Sequence, residues 1–274
     1  MQQFGRSWDL VKACFGVLND DKELLLFPII SSIATLIVLA SFALPLFFSG
    51  LFQQGAGPIG FIIGFLFYLS QYTVIFFFNA ALVGAALIRL NGGNPTVSDG
   101  LSVAKQNLGA IIGYAAIAAT VGMLLKMKGK RSGFVADMVR SIAGMAWTLS
   151  TFLVVPVLVS EKIGPIDAIK QSASLLKKTW GENLIGTAGI WIGFGIFSFL
   201  YIVISIVIVF AASQASSGLA IGLAIVFVIG LMLIGIIKSA ISAIYTAALY
   251  RYAADGQAPK GFESQQMNLA FAKQ

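Results

Sequence analysis

The sequence predicts an all-α polytopic membrane bundle of six spans plus interfacial amphipathic helices, and three observations carry that reading. Six nearly uninterrupted apolar stretches run over Leu24–Phe48, Pro58–Leu90, Leu108–Leu125, Ser141–Val159, Leu184–Ala212 and Gly218–Tyr250. A helix rises 1.5 Å per residue, so about 20 apolar residues cross the hydrocarbon layer. Composition agrees: 58% of residues are hydrophobic and only 11% charged, with mean hydropathy +0.91. Soluble domains carry about 25% charged residues. The charges that remain gather in alternate connectors. Spans and short connectors use nearly all of the chain, so residues 1–274 read as one membrane domain.

The elements follow in order. Ser7 is a favourable N-cap, and Trp8, Val11, Phe15 and Leu18 recur at helical spacing around Asp9 and Lys12. That segment is expected to lie along the membrane surface. Its mixed charges and the long apolar run behind it do not fit a cleavable signal peptide. Ser49–Gly57, between the first two spans, has no charge. Leu101, Ala104 and Leu108 form a second, weaker amphipathic segment before span three. Ile166, Ile169, Ala173 and Leu176 form a third, opposite Asp167, Lys170 and Lys177, with Pro165 at the favoured first helical position. Trp8, Phe15 and Trp180 are the expected interfacial anchors.

Charge sets the orientation. The N-terminus, Asn91–Asn107, Ser160–Asn183 and the C-terminal tail share one side and hold most of the 18 basic residues. The positive-inside rule then places both termini in the cytoplasm, with the chain multi-pass in the cell (plasma) membrane. One connector resists: Lys126, Lys128, Lys130, Arg131 and Arg140 fall outside. Either the other connectors outweigh it, or spans three and four form a shallow re-entrant hairpin.

The order amphipathic helix, span, span recurs. The second span of each group ends near a polar residue four places before a proline: Asn91 and Pro95, Glu161 and Pro165, Asp255 and Pro259. An acidic residue follows each proline, at Asp99, Asp167 and Glu263. Three units over 7–95, 96–165 and 166–259, with an interfacial segment over 260–274, would give a pseudo-threefold bundle.

Several runs carry a resemblance: Ser7-Trp8-Asp9-Leu10-Val11-Lys12, Ala146-Trp147-Thr148-Leu149, Val154-Val155-Pro156, Gly164-Pro165-Ile166-Asp167 and Thr179-Trp180-Gly181-Glu182. Together these resemble an uncharacterised family of bacterial six-span integral membrane proteins. That family is similar to the membrane domain of some glycerophosphodiester phosphodiesterases. The resemblance implies a fold and a bacterial inner membrane setting, but no catalytic residues.

Chemistry has few places to reside. There is no histidine, and Cys14 is the single cysteine, so His-containing metal sites and an internal disulfide are excluded. No phosphate loop, dinucleotide fingerprint or nucleophile elbow is present. No cofactor and no enzyme activity are expected. Lys238 is the one ionisable residue read as deep within a span, about 20 Å along the helix from Arg251. It shares a face with Ser242, Tyr245 and Thr246, while Gln71 and Asn79 add polar groups from span two. A cation at the bilayer centre costs at least about 2.5 kcal/mol, so it faces protein, water or a polar ligand. Lys238 is then either a packing device or the anchor for an anionic group such as a lipid phosphate.

The formal charge of +7 lies on membrane-flanking connectors, which fits anionic phospholipid headgroups and not nucleic acid. Gly60/Gly64 and Gly189/Gly193 match the spacing that lets helices approach within the chain or in a homo-oligomer. The expected function is a non-enzymatic lipid-interacting scaffold, accessory subunit or lipid-handling module. The alternatives are a transporter or channel with a polar pathway around Lys238, and a membrane enzyme acting on phospholipid.

Overall fold

The computed structural model describes residues 2–48, 57–126, 134–180, 188–256, 259 and 262, among which every regular element is helical. Helix α1 (Gln2–Asp20) passes through a single 3-10 turn (Lys22–Leu25) into α2 (Leu26–Phe48). Then come α3 (Pro58–Leu90), α4 (Val97–Gln106), α5 (Leu108–Lys126), α6 (Phe134–Ser150) and α7 (Val154–Glu161). The last three are α8 (Pro165–Trp180), α9 (Ala188–Ala215) and α10 (Ser217–Asp255). Six stretches are long and apolar enough to cross a membrane: Lys22–Phe47, Ile59–Leu90, Leu108–Lys126, Ala136–Glu161, Gly193–Ala215 and Ser217–Asp255. Spans three and four are both of crossing length. The first residues expected in span five, 184–187, lie outside the described residues, as does most of 260–274.

Polar contacts tie one end of the bundle together, here termed the capped end. Arg89 at the end of α3 reaches Asp20 at 3.6 Å, and the Val97 N–H donates to Glu23 at 3.2 Å. Tyr250 Oη on α10 donates to Glu161 on α7 at 3.3 Å. The opposite, far end is looser. Most residues in the far parts of α9 and α10 are exposed. The core therefore sits in the capped half.

Each short amphipathic helix packs on the second span of a pair: α4 on α3, α8 on α7 and α6, and α1 on α10. Small side chains let them do so. Ala80, Ala81, Ala85 and Ala86 of α3 are fully buried. A Cβ on Gly84 would lie 2.7 Å from Val103 of α4, and one on Gly100 would lie 2.6 Å from the Ala81 carbonyl oxygen. Thr96 and Asp99 close a reciprocal capping box at the start of α4, which holds the Asp99 carboxyl below its ordinary range. The apolar stripe of α1 faces protein: Leu10, Val11, Cys14, Val17 and Leu18 are buried, while Phe15 turns outward. The surface-lying helix expected from the sequence is thus docked on α10 through that stripe. Burial pushes the Cys14 thiol up to about 12.

Among the described residues, three adopt a left-handed backbone: Gly92 (φ 87), Lys162 (φ 51) and Gly256 (φ 70). Each stands three places before a proline, at Pro95, Pro165 and Pro259. Each ends a second span, and Gly92 and Lys162 turn the chain toward α4 and α8.

The fourth span is two helices. Pro156 supplies no N–H, and its ring opposes the carbonyl four residues back, at Phe152, so α6 stops and α7 restarts. Thr151 Oγ1 donates back to the Trp147 carbonyl at 2.8 Å, and the Leu153 N–H donates to Ser172 Oγ of α8 at 3.0 Å. At the far end, Lys126 donates to Tyr68 Oη at 3.0 Å with its ammonium 5.0 Å from that ring's centre. Arg140 pairs with Asp137 at 2.7 Å. Two charges of the anomalous connector are therefore locally partnered.

Within the chain, Gly64 and Gly193 do not serve a close helix approach: a Cβ on either would meet nothing within 4 Å. This separates two alanine substitutions. Gly100→Ala should cost about 1–3 kcal/mol, because a carbonyl oxygen cannot yield as a side chain can. Gly64→Ala should be neutral or slightly stabilising. Thermal unfolding in detergent compares the two directly.

Candidate functional site

The inner faces of α3, α7 and α10 meet tightly near the capped end and part below it. Where they part lies a cavity of about 420 Å³, within the about 300–1,000 Å³ of small-molecule sites. Helix α10 supplies Lys238, Ser242 and Thr246, spaced by four residues so that they stack on one face. Asn79 faces them from α3. Tyr114 of α5 and Thr151, in the turn that interrupts span four, add two hydroxyls. The remaining wall is aromatic and aliphatic. Phe76 is tilted against Tyr114 with ring centres 4.5 Å apart, and Tyr72 stacks on Phe76 at 5.5 Å.

Four of the residues expected to form a polar site share this cavity: Lys238, Ser242, Thr246 and Asn79. Two do not. Tyr245 sits at the edge of the α10 polar arc and is buried in the core. Gln71 lies about 12 Å nearer the far end than Asn79, where its Nε2 donates to the Thr35 carbonyl of α2 at 3.2 Å. It joins two helices and is not part of the cavity wall. Of the expected anchors, Phe15 is exposed, and the Trp8 and Trp180 side chains lie outside the described set. Sequence reasoning missed Thr151 and Tyr114. Pro156 inside an apolar run was the available signal for the first.

Lys238 lies about 32 Å along α10 from its far end, and Asn79 about 32 Å along α3 from its far end. One hydrocarbon thickness is about 30 Å. Pro28 and Ser31, in the first two turns of α2, line the same cavity. Helix α10, at 39 residues, is about 58 Å long, nearly twice what a span needs.

Toward the capped end the cavity is closed. Ala85 and Ala86 of α3 and Ala247 and Ala248 of α10 are each at most 1% exposed. Toward the far end the wall opens: Ile75, Gly235 and Ser239 all line the cavity and are exposed.

Residues 58–262 match a family of unknown function, DUF6159. The chain belongs to this family. The matched stretch runs from the start of α3 through α10 and contributes every wall of the cavity except that from α2. No curated protein and no solved structure matches the chain. The resemblance to the membrane domain of glycerophosphodiester phosphodiesterases therefore has no support in these comparisons.

The turn that carries Thr151 into the cavity depends on Ser172, which is fully buried. Ser172→Ala leaves the Leu153 N–H without its acceptor, at a cost of about 1–3 kcal/mol. Reduced thermal stability together with faster hydrogen exchange in the 151–154 turn is the expected outcome.

Proposed function

We propose that this chain is a lipid-interacting module of a bacterial cell membrane, non-enzymatic, whose cavity receives the anionic headgroup of a phospholipid. The observation that carries the reading is the placement of a lysine and several hydroxyls in one apolar-walled cavity, about one hydrocarbon thickness along α10 from its far end. A cation there meets phosphate without being carried to the hydrocarbon centre, and the hydroxyls satisfy its remaining oxygens. The chain serves as a scaffold, accessory subunit or lipid-handling element built from three equivalent units, 7–95, 96–165 and 166–259. The closed alanine layer above the cavity supports lipid binding over a transport pathway, which needs polar access from both faces.

Replacing Lys238 tests this. Lys238→Met keeps much of the volume and removes the charge. Affinity for anionic phospholipid should fall roughly tenfold or more, the range of a lost charge-assisted hydrogen bond. Lys238→Arg should retain most of it. Phosphate assay of lipid copurifying in matched detergent reads the difference, and equal occupancy in Lys238→Met and wild type would refute the proposal.

Orientation is part of the reading, with both termini and α8 in the cytoplasm. Lys170 is well exposed on α8, whereas Cys14 is buried with its thiol held protonated. Cys14 should therefore give little background with maleimide. Lys170→Cys in intact cells should resist a membrane-impermeant maleimide and react after the cells are opened. Labelling in intact cells would reverse the topology.

A further inference from the structure

We infer that the ligand of this cavity is a membrane-resident anionic lipid that enters sideways from the bilayer, its headgroup at Lys238 and its acyl chains left outside along α10. The inference rests on the cavity being a headgroup site and adds the ligand's source and route. Three observations carry it.

On the capped side of the cavity lies the fully buried alanine layer of α3 and α10. The opening lies on the other side, where Ile75, Gly235 and Ser239 are exposed. Below that mouth α9 and α10 still touch, with Tyr201 Oη donating to the Phe227 carbonyl at 3.2 Å, but both turn apolar faces outward. The far part of α10 presents Ile221, Ile225, Val228, Ile229 and Met232 outward, and α9 exposes a similar face. A soluble anion approaching the mouth would have to cross this apolar surface. A lipid of the leaflet at the capped end, its phosphate at the level of Lys238, has its chains within about 15 Å below, at the level of Val228–Met232.

Gly235 offers a direct test. A Cβ there meets nothing within 4 Å, so Gly235→Phe fills the mouth without displacing the fold. Gly222 is also exposed and open, on the same helix but away from the cavity, so Gly222→Phe is its control. The proteins are placed in bilayer discs of phosphatidylcholine containing phosphatidylglycerol, and the lipid retained after detergent extraction is measured. Gly235→Phe should retain at least fivefold less phosphatidylglycerol than wild type, Gly222→Phe the wild-type amount, and millimolar glycerol 3-phosphate should displace none. A fluorophore on Ser239→Cys should be quenched more by lipid brominated near the glycerol than near the chain end.

Wild-type retention by Gly235→Phe while Lys238→Met loses lipid would overturn the sideways route and leave the headgroup site standing. Displacement by glycerol 3-phosphate, or the reverse quenching order, would also overturn the route. Wild-type retention by Lys238→Met would remove the site itself. Unchanged melting temperatures in both phenylalanine variants exclude unfolding as the cause of any loss.

Discussion

The close approach of α3, α7 and α10 governs this structure. In lipid there is little hydrophobic force to draw helices together, since acyl chains are as apolar as leucine, so association depends on dispersion contacts between surfaces that fit. Here the fit comes from alanines: Ala81, Ala85 and Ala86 on one side, Ala243, Ala247 and Ala248 on the other. The same layer seats α4 through Gly84 and Gly100. The cavity begins where that run of small residues ends. Phe78 and Asn79 on α3 and Lys238 and Ser239 on α10 are too large to let the backbones meet. The site is the space left when a tightly packed triangle opens downward.

A second constraint shapes the fourth span. Backbone groups at membrane depth must find partners within the protein. Pro156 breaks the hydrogen-bond ladder, and α8 answers with Ser172. This explains why α8, read from sequence as a helix along the surface, runs beside α7 and reaches α6. Its apolar residues Ala168, Leu175 and Leu176 are consumed by that contact.

The spans were legible in the sequence because length and apolarity are local properties. The turns before Pro95, Pro165 and Pro259 were legible because proline and glycine restrict backbone angles locally. What the sequence hid was relational. Lys238, Ser242 and Thr246 could be placed on one face by spacing alone, but their depth depended on where the hydrocarbon starts along an overlong helix. Gln71 looked like a partner of Asn79 because both share a side of α3; only the position of α2 shows that it bonds Thr35 instead. Gly64 and Gly193 fitted a packing pattern, yet within the chain the helices they would meet lie elsewhere. Pro45 and Pro156 read alike in the sequence. One falls in the last turn of α2 without ending it, and the other splits a span.

The docking of α1 on α10 bears on the order in which the protein is made. Helix α1 is translated well before α10, its main partner. At about 5–20 residues per second, roughly 10–50 s separate their synthesis. Throughout that interval the Leu10–Leu18 stripe lacks its main cover, and an amphipathic helix in that condition resides at the lipid surface. The contact that closes the ring is therefore also the longest-range one in the fold, and its loop-closure cost falls late in assembly. Final cohesion of the bundle then waits on the arrival of α10, whatever the speed with which the earlier hairpins insert.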